Sequence, residues 1–265
     1  MNVNFAKYQA TGNDFILIDD RIIHFPVHDN NLIQKLCHRR YGIGADGLIL
    51  LQKKDGYDFG MMYFNSDGKE STMCGNGGRS IVHFAYYKGI VGQQCTFLAA
   101  DGKHEGRVDD PWITISMKDV EKIITHEKDA YILDTGSPHY VLFCADATQE
   151  DLIKIAKAIR YSDTFAQQGI NVNLVSVIKE GHLFVRTYER GVEDETLSCG
   201  TGVVAATLAY SYRTPLGANE INIDTRGGKL KVSFEYDTEN KRYQNIMLSG
   251  PVEKVFEGNI EINSV

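Results

Sequence analysis

The sequence predicts an α/β fold of the α+β type: two pseudo-symmetric lobes, each a curved, mostly antiparallel sheet wrapped around a central helix. Three observations predict it. The chain repeats itself once at an offset of 124–125 residues. Within each copy, short β-rich runs alternate with two helical stretches. Each copy also carries one Cys-Gly-x-Gly segment that runs directly into an apolar helical stretch.

The repeat is read from landmarks. Tyr63 to Cys74 and Tyr188 to Cys199 are both 11 residues, and Glu70 and Glu195 fall in register with the cysteines. Upstream, Thr11-Gly12-Asn13-Asp14 matches Thr135-Gly136-Ser137-Pro138 at an offset of 124, and Gly44 matches Gly169 at 125. A solenoid would show three or more shorter units, so two copies mean two related half-domains. The lobes are expected over 1–120 and 121–254, and a final strand over 255–265 is expected to return to the first lobe.

Each element has a local reason. Phe15–Ile18, Leu48–Leu51, Gly60–Phe64, Leu183–Tyr188, Glu220–Ile223 and Lys229–Glu235 read as strands from their β-branched and aromatic content. One helix starts near Asp29 or Asn30 and ends near His38. Another is capped by Thr148, with Asp151 three residues on, and runs to about Arg160. The central helices follow the two Cys-Gly segments. Arg160 and Arg186 read as surface or lobe-packing residues.

Composition narrows the function. A net charge of −7 over 265 residues argues against a nucleic-acid surface, which needs clustered Lys and Arg. No apolar stretch approaches the roughly 20 residues of a membrane span. The N-terminus shows no signal peptide. Cys37, Cys74, Cys95, Cys144 and Cys199 form an odd, widely spaced set, which fits free thiols in a reducing, cytoplasmic compartment. No spacing suggests a metal site. Cys37, Cys95 and Cys144 read as core thiols.

Cys74 and Cys199 read differently. Glycines after each let backbone approach a ligand. First-turn N–H groups favour an anion such as a carboxylate, and the same field favours a thiolate. Two equivalent elbows around one ligand suit inversion of a stereocentre: one thiolate takes a proton while the other thiol gives one from the opposite face. The expected site is the cleft between the lobes. Carbanion stabilisation would come from the helix N-termini, with Asn76, Gly77, Gly200 and Thr201 as donors, since no lysine sits beside a phosphate cradle as pyridoxal phosphate would need.

At these residues the chain resembles the diaminopimelate epimerase family. The resemblance rests on Met73-Cys74-Gly75-Asn76-Gly77-Gly78-Arg79, Glu189-Arg190-Gly191 and Leu197-Ser198-Cys199-Gly200-Thr201-Gly202. Ala10 to Phe15, Gly42 to Gly47, Phe64 to Gly68, Pro138-His139 and Asn171-Val172-Asn173 extend it over nearly the whole chain. It implies interconversion of LL- and meso-2,6-diaminopimelate without cofactor or metal, in lysine and peptidoglycan precursor synthesis. Cys74 and Cys199 become the proton donor and acceptor. Gly75-Asn76 and Gly200-Thr201 would hold the reacting carboxylate. Asn13, Asn65, Asn171, Glu189 and Arg190 would hold the substrate, largely at its distal end, and His139 is expected near the site. Many members carry Gln where this chain has Gly47, and Asn where it has Ser137; both positions belong to the expected substrate contacts.

Other classes fit less well. Proline-type racemases tend to carry His after the first Cys-Gly, where this chain has Asn76. A thiol hydrolase or redox protein would need a Cys-His pair or a resolving cysteine. A silent binding domain would not need cysteines in both copies. A homodimer is compatible with the sequence, which does not fix the oligomeric state.

Overall fold

Both copies of the repeat build the same plan in a computed structural model, which describes residues 1–214 and 219–262. The chain divides into two compact units. One is Met1–Ile115 with the segment from Gly250 onward, and the other is Ser116–Ser249.

The first unit contains β1 (Asn2–Ala10), β2 (Asn13–Asp19), α1 (Asn30–Cys37), β3 (Gly47–Gln52), β4 (Phe59–Asn65), α2 (Gly75–Tyr87), β5 (Gln94–Ala99), β6 (Gly102–Asp109) and β7 (Trp112–Ser116). The C-terminal strand Glu253–Glu261 lies antiparallel on β1, Asn2 opposite Glu261. From that strand the ladder runs through β1 to β7. It is antiparallel except at β2–β3 and β4–β5.

The second unit contains β8 (Ile123–Glu127), β9 (Ala130–Asp134), β10 (Pro138–Phe143), α3 (Leu152–Arg160), β11 (Asn171–Lys179), β12 (His182–Glu189), β13 (Asp194–Thr196), α4 (Gly200–Arg213), β14 (Glu220–Thr225), β15 (Gly228–Asp237) and β16 (Arg242–Pro251). Its ladder runs β8-β9-β10-β11-β12-β14-β15-β16, parallel only at β10–β11 and β12–β14. The parallel steps fall at the same places as in the first unit. Register agrees as well: Phe15 lies opposite Gly47 in one, and His139 opposite Asn171, each 124 further on, in the other.

The helices divide the same way in both. α2 and α4 are buried around nearly their whole circumference, as expected of a helix enclosed by a sheet. α1 and α3 cover the outer faces. In the first unit, Leu48 and Leu50 of β3 pack with Ile33 and Leu36 of α1. Ile49, between them, turns toward Gly77 of α2. Burial on both faces explains why β3 is an unbroken apolar run rather than an alternating one. In the second unit, Leu152 and Ala156 of α3 pack with Val172, Leu174 and Tyr188. Each such side chain contributes roughly 1.5–3 kcal/mol when fully buried.

Two expectations are corrected. Asp151, not Thr148, caps α3 by accepting from the Lys154 N–H. The Thr148 hydroxyl is occupied by Asp146, and an ionised carboxylate is the stronger acceptor at a helix start. Tyr188 is not the counterpart of Tyr63. Phe64 pairs with Glu70 as Tyr188 pairs with Glu195, so Phe64 holds that place. The intervening loop is one residue longer in the second copy, so the offset is 124 at Phe64 and 125 at Glu70 and Cys74. Of the two places expected for Arg186, surface or lobe packing, it takes the second: it is buried and forms a two-pronged ion pair with Glu195, 2.8 Å at each prong. It also donates to the Ala147 and Glu150 carbonyls, tying β12 to the start of α3.

Candidate active site

The four helices start in two different ways. α1 and α3 are capped by the carboxylates of Asp29 and Asp151. α2 and α4 begin after Cys74 and Cys199, both extended, and neither cysteine caps its helix. A side-chain cap is worth about 1 kcal/mol. At both central helices the cysteine supplies no such cap, and the start of a helix favours an anion.

In the first unit, Cys74, Asn13 and Asn76 come together. Cys74 Sγ lies 3.7 Å from Asn13 Oδ1, and Asn76 Nδ2 donates to the same oxygen at 3.4 Å. Asn13 Nδ2 donates to the Asp46 carboxylate at 2.6 Å, which fixes the amide with its oxygen toward Cys74. Asp46 is held by Arg39, which also pairs with Asp14. Lys7 completes this network by pairing with Asp14 at 2.7 Å and donating to the Gly44 carbonyl. Burial alone would raise the Asp14 pKa, but hydrogen bonds from Arg39 and Lys7 outweigh it and hold the carboxyl well below the usual range. Gly47 and Asn65 are direct cross-strand neighbours. A side chain at 47 would meet the Phe64 carbonyl and the Tyr63 ring, each at 2.5 Å. Tyr63 therefore occupies the space a larger residue at 47 would need.

In the second unit, Cys199, Thr201 and His139 come together. Thr201 Oγ1 is 3.4 Å from Cys199 Sγ and 2.9 Å from His139 Nε2. Asn173 Nδ2 donates to the Tyr140 carbonyl, so this nitrogen is the amide's donor end, and it also faces His139 Nδ1 at 3.0 Å. Thr187 donates to Asn173 Oδ1 at 2.9 Å, closing the amide's other end. His139 is fully buried. Burial, then the charge of Arg190, pull its pKa down to about 3. The ring is neutral at physiological pH, with its proton on Nε2. It donates to Thr201, whose hydroxyl lies within hydrogen-bond reach of Cys199.

A second group lies beside this one. Asn171 Nδ2 donates to Ser137 Oγ at 2.8 Å and to the Pro138 carbonyl, and its Oδ1 accepts from the Arg190 N–H at 2.8 Å. Ser137 thus keeps one side-chain partner for Asn171. The Arg190 guanidinium donates to the Gln168 carbonyl and is exposed. Glu189 ends β12 and is half-buried.

Cys37 and Cys95 are buried, and burial pushes both thiols up to about 12. Burial raises Cys144 as well, and its thiol donates to the Val175 carbonyl. Such thiols stay protonated and unreactive. Thr11, Asp46, Arg79 and Asn173 lie inside the motifs that carry the resemblance but are given no role by it, and Thr187 lies outside them. What they do is set by tertiary partners, as Thr187 with Asn173, 14 residues away, and Arg79 with Thr11, 68 away.

Comparison with known proteins agrees in extent. A family model described as diaminopimelate epimerase matches residues 5–123 and 131–255. A diaminopimelate epimerase of Flavobacterium psychrophilum is 49% identical over 255 residues, covering 96% of this chain and 98% of that one. One from Aquifex aeolicus is 38% identical over 277 residues, covering 97% and 98%. Among solved structures, a phenazine biosynthesis protein of the PhzF family from Bacillus anthracis superposes with a TM-score of 0.75 at 14% identity, covering 99% and 100%. A hydroxyproline epimerase from Agrobacterium vitis gives 0.70 at 12%, covering 98% and 92%. At such identities these two show likeness of fold.

Proposed function

The chain belongs to the diaminopimelate epimerase family and is an amino-acid epimerase, and on that premise we propose that it interconverts LL- and meso-2,6-diaminopimelate with Cys74 and Cys199 as its proton-transfer pair. The observation that carries this reading is the pair of central helices, each started by a cysteine and left without a side-chain cap.

The steps follow from that chemistry. One cysteine, as thiolate, removes the α-proton from one face, and the other, as thiol, delivers a proton to the opposite face. The roles exchange in the reverse direction. The carbanion intermediate is stabilised as charge moves onto the α-carboxylate. Gly75 and Asn76 on α2, and Gly200 and Thr201 on α4, offer the donors for it. Hydrogen bonds to a charged acceptor contribute roughly 1.5–3 kcal/mol each. At the distal end, Arg190 suits a carboxylate and Glu189 an ammonium group. Asn13, Asn65 and Asn171 supply further polar contacts, with Ser137 and Gly47 beside them.

The reading needs neither metal nor pyridoxal phosphate, and it places the reaction in lysine and peptidoglycan precursor synthesis. Among the described residues, no helix is long and apolar enough to cross a membrane. Five free cysteines suit a reducing cytoplasm.

Purified protein incubated with LL-diaminopimelate in deuterated water tests the proposal. Deuterium at the α-carbon together with formation of the meso isomer, without added cofactor, is expected. Unchanged LL substrate after prolonged incubation would refute it.

A further inference from the structure

Arg79 is fully buried, and among the described residues it is one of the largest side chains of which that is true. Its donors meet only uncharged oxygens. Nη1 reaches the Gly75 carbonyl at 3.3 Å, and Nη2 reaches Asn76 Oδ1 at 2.8 Å and Thr11 Oγ1 at 3.4 Å. Its Nε has no partner. Arg21, Arg39 and Arg107 of the same unit each meet a carboxylate within 2.8 Å. Among the described residues, no carboxylate stands at that distance from Arg79.

A buried charge without a counterion is costly, and removing either partner of a buried pair is costly for the same reason. Burial accordingly pulls the Arg79 pKa down to about 10, and the charge that opposes this is that of Cys74. Two of its three acceptors belong to the first turn of α2, and the third, Thr11, touches Asn76. The guanidinium thus stands directly behind the turn assigned to the carboxylate. The second copy lacks it: five residues after Cys199, where Arg79 follows Cys74, stands the buried Val204. A residue needed only to complete the repeated fold would be of one kind in both copies.

We infer that Arg79 is a positioning residue that supplies the fixed countercharge for the anion at the Cys74 elbow, holding Asn76 in place and favouring the Cys74 thiolate. The inference rests on the reading of Cys74 as a proton-transfer group. It makes the two thiols inequivalent: full charge supports one, and the neutral Thr201–His139 pair supports the other. The groups around Cys74 come from several elements. Arg79 lies on its own helix, and Asn13 on β2 is backed by Asp46, which Arg39 neutralises. From β1, Tyr8 meets α2 at His83 and Phe84, more than two turns away. His104 on β6 is paired with Asp101. The Asn13 oxygen favours the thiol form of Cys74, and the Arg79 charge opposes it.

The test is the pH dependence of alkylation by iodoacetamide, followed cysteine by cysteine with mass spectrometry on the full chain. Wild type is compared with Arg79→Gln, Arg79→Met and Arg79→Lys. In the Gln and Met variants the Cys74 midpoint is expected to rise by about one pH unit or more, which is about tenfold slower reaction near neutrality. Arg79→Lys is expected to restore most of the shift, and the Cys199 profile is expected to stay in place. Thermal unfolding of the same proteins separates charge from packing, because Met fills similar volume without a buried charge and is expected to fold. An unshifted Cys74 midpoint in Gln or Met would overturn the inference. So would equal shifts at both cysteines, or failure of every uncharged variant to fold, since Arg79 would then serve the core. Alkylation needs no substrate. A protein that fails to turn over diaminopimelate but shows the Cys74 shift would refute the proposed function and leave the countercharge standing.

Discussion

The Asn173 amide nitrogen stands 3.0 Å from Nδ1 of His139 and donates to it. That one contact sets the tautomer of the ring, and the tautomer sets what Thr201 can do. With its oxygen accepting from Nε2 at 2.9 Å, the threonine hydroxyl has its proton free to point at Cys199 Sγ. His139 then acts as a neutral donor in a fixed chain, not as a proton carrier, which suits a group pulled down to about 3 by burial.

Thr201→Val removes the hydroxyl while keeping the shape. Loss of a hydrogen bond to a charged group is worth roughly 1.5–3 kcal/mol. A fall in kcat of about 10- to 100-fold is expected, with a rise in the pH midpoint for Cys199 alkylation. Thr201→Ser is expected to stay near wild type. Wild-type kcat in the valine variant would show that the hydroxyl does not act on the sulfur.

His139 also predicts how stability depends on pH. Its folded pKa, about 3, lies below the unfolded value of about 6.5. As pH falls, the unfolded chain therefore binds the proton first. The stabilisation is complete above about pH 6.5 and is lost progressively toward about pH 3, at up to roughly 1.4 kcal/mol per pH unit. His139→Gln cannot titrate. Urea unfolding at several pH values between about 4.5 and 7 should show a shallower slope for the variant; parallel slopes would contradict a buried neutral histidine.

Gly47 is required by its neighbours rather than by its backbone angle. A methyl group there meets the Phe64 carbonyl and the Tyr63 ring at 2.5 Å each. The ring can turn aside, but the carbonyl is held in the sheet. Gly47→Ala is expected to cost about 1–3 kcal/mol of stability, measured by denaturant unfolding. Tyr63→Ala in the same chain is expected to recover only part of it. A neutral Gly47→Ala would mean that β3 and β4 move apart freely.

Much of the fold is legible in the chain because a duplicated sequence repeats its landmarks. Cys74 and Cys199 stand out as equivalents by their spacing alone, and so do the apolar helices that follow them and the strands that precede them. The tyrosine match fails because the offset changes by one between Phe64 and Glu70, inside a loop where sequence gives no register. The α3 cap is ambiguous in the sequence because Thr148 and Asp151 are both good capping types, and only the Asp146 contact shows which one is occupied. The partners of Arg186 and Arg79 escape a sequence reading for a shared reason. A buried arginine looks like a surface arginine until its partners, Glu195 in one case and Asn76 in the other, are placed around it.

Cys74 and Cys199 are proposed to transfer protons as a pair, and single replacement of each tests this most directly. Turnover of LL-diaminopimelate to the meso isomer should be abolished in Cys74→Ala and, separately, in Cys199→Ala, with both proteins folded by circular dichroism. Epimerisation retained in either variant would contradict the two-thiol account.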